Sequence, residues 1–307
     1  MDDTFQDPGI EITRQFGPSN SAPTTLHCMI TSRCSMNCPG CYYRDPGETG
    51  EWTREYAWDI VDSAAALGVQ WLAIGGGEPT EVEWLGDMIY RAQQQGMKVA
   101  MTTNGVNLVE VFPNRVHVSH DSIHTRGSGL SWDDREAQVW DAVQHYQKIA
   151  RCATGLNTLW PDLDRLDNWL CQIVDCVTAL LPKPFIPEPG WKSKLNRMLK
   201  DREEWTHTCV DGCLAGLMFG ACSQGRISMA LDQRGMAGVC SNIRDVRIAP
   251  GIPLKGQWDY LRAKDHGTWP RGCIVGKLEA SVAQPVEQVT RNDQVVGSTP
   301  TAGSMGV

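Results

Sequence analysis

Short apolar runs alternate with longer amphipathic stretches from Thr24 onward. Leu26–Ile30 is apolar enough for a buried strand. Trp52–Leu67 repeats apolar residues at helical spacing, with Thr53 placed to cap its start and Gly68 its end. Trp71–Ile74 is a second short run and leads into a run of glycines. Val82–Gln95 has helical spacing, with Trp84, Met88 and Ala92 near one face, and Gly96 stops it. Lys98–Thr103 and Arg115–Ser119 read as the next strands. Asp133–Ile149 reads as a helix and Cys152–Leu159 as a fifth strand. Leu163–Leu181 has a helical pattern stopped by Pro182 and Pro184, and Pro184–Pro187 is assigned a short sixth strand.

Such alternation predicts parallel strands joined by crossover helices, in an open sheet or a barrel. Residues 188–206 then form a Pro/Gly hinge and a basic helix with Lys192, Lys194, Arg197, Lys200 and Arg202, read as a solvated face. Beyond it, Arg226–Leu231 and Met236–Cys240 flank Asp232–Gly235 as a hairpin would. The expected organisation is a disordered lead-in over 1–23, a core over 24–190, a cysteine-bearing segment over 191–280 and a disordered tail over 281–307. That tail has no aromatic residue and no cysteine. Residues 283–304 resemble the conceptual translation of a transfer-RNA gene. A lost stop codon is the expectation, with the fold ending near Lys277.

Composition narrows the class. Of 307 residues, 41% are hydrophobic and 21% charged, with a net charge of −8, which suits a globular chain. No apolar run approaches about 18 residues, so no membrane helix is expected. The opening MDDTFQDPG lacks the apolar core of a secretory signal, and a cytoplasmic location is expected. The acidic balance argues against a sequence-independent grip on nucleic acid. Twelve cysteines without a signal point to reduced thiols and metal or redox chemistry. Twelve tryptophans against five phenylalanines read as large core anchors with a polar N–H.

The strongest chemical signal is Cys34-Ser-Met-Asn-Cys38-Pro-Gly-Cys41, just after the first strand. Twelve cysteines in 307 residues would produce this spacing by chance about 0.02 times. Three thiolates on one loop can curl around an iron–sulfur cluster, which usually takes four, and leave one iron open. The rival is zinc, which would need a distant fourth ligand.

This C-x3-C-x2-C loop resembles that of the radical S-adenosylmethionine (SAM) superfamily. The later motifs follow in its order over about residues 24–190. Gly75-Gly76-Gly77-Glu78-Pro79-Thr80 resembles the GGE motif, and Thr103-Asn104-Gly105 the TNG motif. Ser119-His120-Asp121 resembles S-x-D, with His124 and Arg126-Gly127 in the loop that follows. The resemblance implies a [4Fe–4S] cluster on Cys34, Cys38 and Cys41. It implies that Gly76, Gly77 and Glu78 hold the SAM amino group. Thr103, Asn104, Ser119 and Asp121 would lie near its sulfonium and ribose, with Asn157 a weaker candidate. Where the family often has an aromatic residue before the third cysteine, Gly40 stands, with Tyr42 and Tyr43 after Cys41. Singly, each motif has a plain structural reading. The glycines and Asn104-Gly105 could be turns, and Ser119 and Asp121 could cap a helix. His117, His120 and His124 suggest a metal cluster, but packing or solvent exposure is the reading taken for each.

Cys222-x12-Gly235-x4-Cys240 resembles the opening of the SPASM/twitch module, although the rest of that long pattern is missing. It implies a second [4Fe–4S] cluster drawing on Cys209, Cys213, Cys222, Cys240 and Cys273. The alternative is that these are small buried hydrophobes. Cys28, Cys152, Cys171 and Cys176 read as core. The expected fold is therefore α/β, a partial (β/α)6 TIM-like barrel with a small C-terminal cysteine-bearing appendage. The activity implied is reductive cleavage of SAM to a 5′-deoxyadenosyl radical that abstracts hydrogen from a peptide or small metabolite. The partners implied are that substrate and an electron donor such as flavodoxin or ferredoxin. No side chain is assignable as a catalytic acid or base. A glycyl-radical-enzyme activase and a non-catalytic metal-binding module remain as alternatives.

Overall fold

The computed structural model describes residues 22–41, 49–182, 188–219, 227–240 and 248–263. Most of the predicted lead-in, the whole predicted tail, and Tyr42, Tyr43, Cys222 and Cys273 lie outside them. Among the described residues, nine strands form one sheet: β1 Thr25–Thr31, β2 Trp71–Gly76, β3 Lys98–Thr103, β4 Arg115–Ser119, β5 Ala153–Leu159, β6 Cys176–Leu180, β7 His207–Val210, β8 Ser228–Leu231 and β9 Ala237–Gly238. Their order is β7-β6-β5-β4-β3-β2-β1-β8-β9, with every pairing parallel except that of β8 with β9.

Helices connect most of the parallel strands, while β3 passes to β4 through a loop. The described ones are α1 Arg54–Leu67, α2 Leu85–Gln94, α3 Ser122–Ser128, α4 Trp132–His145, α5 Asn168–Ile173, α6 Trp191–Glu203, α7 Gly212–Phe219 and α8 Leu254–Ala263. The start of α1 is capped as expected: the Thr53 hydroxyl accepts from the Tyr56 N–H, and Gly68 turns left-handed at the other end. Its buried residues, Ala57, Ile60, Val61 and Ala64, recur at helical spacing and face the sheet. Strands β2 and β3 alternate in burial throughout. Leu26, Cys28 and Ile30 of β1, Leu72 and Ile74 of β2, Val99 and Met101 of β3, and Val116 and Val118 of β4 join one apolar core with the helices.

One expectation needs correction. The stretch Leu163–Leu181 is not one helix: a 3-10 turn at Trp160–Arg165 and the short α5 are followed by β6. The sixth strand is therefore Cys176–Leu180, and Pro184–Pro187 lies outside the described residues. Val177 and Thr178 are β-branched, and Asp175 and Thr154 exchange two hydrogen bonds that zip the strand onto β5 at 2.7 and 2.8 Å. Apolar residues stand at both odd and even positions of this run, which leaves no period in the sequence to separate strand from helix. The segment after residue 190 continues the same sheet. Its hairpin forms as expected, but β7 extends the sheet beyond β6, and β8 pairs with β1. The exposed N–H and C=O groups of edge strands favour such additions. The hairpin turn is also tied to the start of α1: Trp52 Nε1 donates to the Asp232 carbonyl at 2.8 Å, and the Tyr56 hydroxyl to that of Gly235 at 3.2 Å.

Several tryptophans do more than fill space. Arg54 and Arg91 lie 4.6 and 5.2 Å from the Trp58 ring, and Arg165 lies 3.9 Å from that of Trp132. Such contacts let long basic side chains cover apolar surface while keeping their charge.

Candidate cofactor site

The loop that leaves β1 carries Cys34, Cys38 and Cys41, all half-buried thiols. Three later segments hold it. The Gly77 N–H donates to the Thr31 carbonyl at 2.6 Å, and the Glu78 N–H to that of Arg33 at 2.7 Å. A Glu81 carboxylate oxygen accepts from the Ser35 N–H at 2.7 Å. The Asn104 amide donates to Cys34 Sγ at 3.6 Å. The Asn37 N–H donates to the Gly127 carbonyl at 3.2 Å. The segments that follow β2, β3 and β4 thus all touch the cysteine loop, as residues beyond the C-terminal ends of parallel barrel strands should.

The glycines explain their own positions. A Cβ on Gly76 would stand 2.5 Å from the Thr31 carbonyl oxygen, and one on Gly77 2.2 Å from that of Arg33. The close approach expected of a ligand is made here by the backbone of the cysteine loop itself. A Cβ on Gly127 would meet Cys38 Sγ at 2.4 Å and Cys38 Cα at 2.8 Å. Gly127→Ala should therefore displace Cys38. We expect the variant to keep its far-ultraviolet circular dichroism but to take up less than half the wild-type iron on anaerobic reconstitution. Wild-type iron content would show that the contact is not needed.

Glu78 is 1% exposed. One carboxylate oxygen accepts from the Thr80 N–H and hydroxyl at 3.2 and 2.7 Å and from the Thr103 hydroxyl at 2.7 Å. The other accepts from the Asn104 N–H at 2.7 Å. Burial pushes this carboxyl up, against those donors. Glu78 therefore locks the end of β2 to the end of β3, and its second oxygen has acceptor capacity left for a cation. Asp121 caps α3, accepting from the Ile123 and His124 N–H groups, both at 2.9 Å, and from His124 Nδ1. Burial alone would raise it, but these partners hold it below the usual carboxylate range. Burial pushes the Cys34 thiol up, aided by Glu78 and Glu81 and opposed by the Met36 N–H and the Asn104 amide. A metal or cluster would have to displace that proton.

The three histidines have separate partners. His117 Nδ1 pairs with Asn157 Oδ1, His120 stacks on Trp132 with centroids 4.4 Å apart, and His124 binds Asp121. Asn157 is turned to His117 and Thr102. Sequence reasoning missed Arg135. It is 0% exposed and joins the carbonyl oxygens of Asn104 and Ser119, the latter at 2.8 Å. Its only sequence signal was a cation on a face of α4 otherwise buried. Of the auxiliary candidates, Cys209 lies on β7 with Thr178 Oγ1 at 3.0 Å, while Cys213 and Cys240 are buried. Cys222 and Cys273 are outside the described residues. Cys28, Cys171 and Cys176 are buried as expected, and Cys152 is half-buried. Among the described residues, no three His, Cys, Asp or Glu side chains form a group that could hold a single metal ion. None of the described helices is long and apolar enough to cross a membrane.

Residues 28–166 match the family model described as the Radical SAM superfamily. This stretch belongs to that superfamily. Its cofactors are a [4Fe–4S] cluster and SAM. Among curated relatives, mycofactocin maturase MftC of Mycobacterium ulcerans (strain Agy99) is 30% identical over 152 residues, covering 48% of this chain and 39% of that one. An S-adenosylmethionine-dependent nucleotide dehydratase of Flammeovirga pacifica is 34% identical over 99 residues, covering 30% and 34%. This chain thus spans well under half the length of the relatives it matches. Among solved structures, Streptococcus suis SuiB bound to precursor peptide SuiA superposes with a TM-score of 0.61 at 16% identity, over 80% of this chain and 66% of that one. The shared architecture is the partial barrel expected from the alternation of strand and helix. The donor set fits a cluster: three thiols on one loop, half-buried, with an amide donor on Cys34 and a glycine cradle behind Cys38.

Proposed function

We propose that this protein is a radical SAM enzyme that modifies a peptide. The observation that carries the reading is the convergence of three segments, after β2, β3 and β4, on one three-thiol loop at the C-terminal ends of the strands. When bound, the cluster and SAM supply a one-electron reductive cleavage that yields a 5′-deoxyadenosyl radical. The chain's own residues do the rest. Cys34, Cys38 and Cys41 anchor the cluster. Glu78 keeps acceptor capacity for the SAM ammonium group while holding Thr103 and Asn104 in place. Gly76 and Gly77 keep the loop seated on β2. Ser119 and Asp121, at the end of β4, offer oxygens within the same rim for ribose hydroxyls. The buried floor of the site, with Glu78 and Asp121 each 1% exposed, limits the access of water to it.

The peptide class is supported by the relatives, one a maturase and one structural neighbour holding a precursor peptide. The nucleotide dehydratase makes a nucleotide the rival substrate. An electron donor of the flavodoxin or ferredoxin type completes the system. Anaerobic reconstitution tests the reading. About four irons per chain and 5′-deoxyadenosine on reduction with SAM are expected. About eight irons would support the auxiliary cluster of Cys209, Cys213, Cys222, Cys240 and Cys273. Absence of 5′-deoxyadenosine would overturn the enzyme in favour of a metal-binding module.

A further inference from the structure

Asn104, just after β3, is 5% exposed, and all four of its polar groups are engaged. Its N–H donates to a Glu78 carboxylate oxygen at 2.7 Å, and its carbonyl accepts from the Arg135 guanidinium. Its side-chain oxygen accepts from the Val106 N–H at 2.8 Å. Its side-chain nitrogen lies 3.6 Å from Cys34 Sγ. The Val106 contact decides which way the amide faces. A backbone N–H can only donate, so the atom that meets it is the amide oxygen. The atom turned to Cys34 is therefore the NH2 group, and a reversed amide would set two donors against each other.

The turn that aims this amide is built into the fold. Gly105 is left-handed, with a φ of 71°, which brings the Val106 N–H back to the Asn104 side chain. A Cβ on Gly105 would stand 2.9 Å from Val118 Cγ1 of β4 and 3.0 Å from Ala142 Cβ of α4. The Gly105 N–H donates to Thr103 Oγ1 at 3.0 Å, and that hydroxyl donates to Glu78 at 2.7 Å. Backbone, turn and carboxylate together leave the amide little freedom. The Met36 N–H reaches Cys34 as well, so this sulfur receives two N–H donors. An electron added to an iron–sulfur cluster spreads negative charge onto its cysteine sulfurs. An N–H aimed at one of them favours the reduced cluster over the oxidised one, which raises the reduction potential.

We propose that Asn104 is a positioning residue for the cluster: its side-chain N–H, held by the Val106 turn, bonds the Cys34 sulfur and makes the cluster easier to reduce. This role differs from the contact with the SAM sulfonium or ribose that the family resemblance implies for Asn104, and the test separates the two. The inference rests on Cys34 being a cluster ligand, as in the function proposed above.

Two measurements on the reconstituted full chain test it. The first is an electrochemical titration of the cluster without SAM, followed by EPR of the reduced form. Asn104→Leu keeps most of the side-chain volume and removes the donor. The variant is expected to hold wild-type iron. At the wild-type midpoint its ratio of reduced to oxidised cluster should fall about tenfold, a shift of about 59 mV to lower potential for one electron. Its Kd for SAM, by anaerobic calorimetry, should stay within about twofold of wild type. The second is pulsed EPR of the reduced wild type grown on asparagine carrying the heavy nitrogen isotope in its side chain. A nitrogen coupling to the cluster is expected, and Asn104→Leu should lose it. An unchanged midpoint in Asn104→Leu overturns the proposal, and an unchanged midpoint with a weakened Kd assigns Asn104 to SAM instead. If the variant fails to hold its cluster, the wild-type spectrum decides: a coupling supports the proposal and its absence overturns it. A wild type that takes up no iron overturns the ligand set itself, and this inference with it.

Discussion

Replacing any one of Cys34, Cys38 and Cys41 by alanine is expected to take iron from about four per chain to near zero and to abolish 5′-deoxyadenosine. Three ligands are the minimum this loop can offer, and a cluster held by two thiolates would dissociate on desalting. Cys209→Ala and Cys213→Ala should retain the first four irons, because neither residue lies on the β1 loop. The measurement is iron and sulfide content after anaerobic desalting, with the visible absorbance of the cluster as a second reading. Folding is a separate question. The three thiols are half-buried and belong to a loop held by other residues, so the urea midpoint of the apo chain should barely move. Full iron retention in all three single variants would remove the assignment.

Arg135→Met should cost about 2–4 kcal/mol of stability in the apo chain, read from urea unfolding. Two strand-end carbonyls, of Asn104 and Ser119, would lose a charged donor, and each orphaned buried acceptor costs about 1–3 kcal/mol. Relief of the buried charge offsets part of this. Burial pushes the guanidinium down to about 10, while Asp121, the Cys38 thiol and Glu78 pull it back up. Its removal therefore also leaves those acidic groups without their nearby cation. Arg135→Lys should recover less than half of the loss, since an ammonium lacks the planar fork that spans two strands. A change under about 0.5 kcal/mol would show that the carbonyls find other donors.

The strands that carry motifs were the easiest to read. Lys98–Thr103 and Arg115–Ser119 have the bounds expected of them, because each is a short apolar run with a polar break at its end. The sixth strand was misplaced for the opposite reason: Cys176, Val177, Ala179, Leu180 and Leu181 put apolar residues at both odd and even positions, so no alternation marks them in the sequence. The glycine run illustrates a half-legible signal. Its spacing announced a close backbone approach, but only the folded chain shows that Thr31 and Arg33 make that approach. Gly155 gave no usable signal, since the ring that lies over it comes from a residue 38 positions earlier, His117.

The sequence by itself determined the order of strand and helix through Cys152–Leu159, the thiol triplet with its spacing, and the motifs at successive strand ends. These are local properties: periodicity, caps and short spacings are written within a few residues of where they act. Only the tertiary structure decided which motif segment grips the cysteine loop, that Arg135 bridges β3 and β4, that β8 closes onto β1, and that His117 of β4 pairs with Asn157 of β5. Each of those depends on register between distant strands, and register is set by how buried faces pack, which no single stretch of chain encodes.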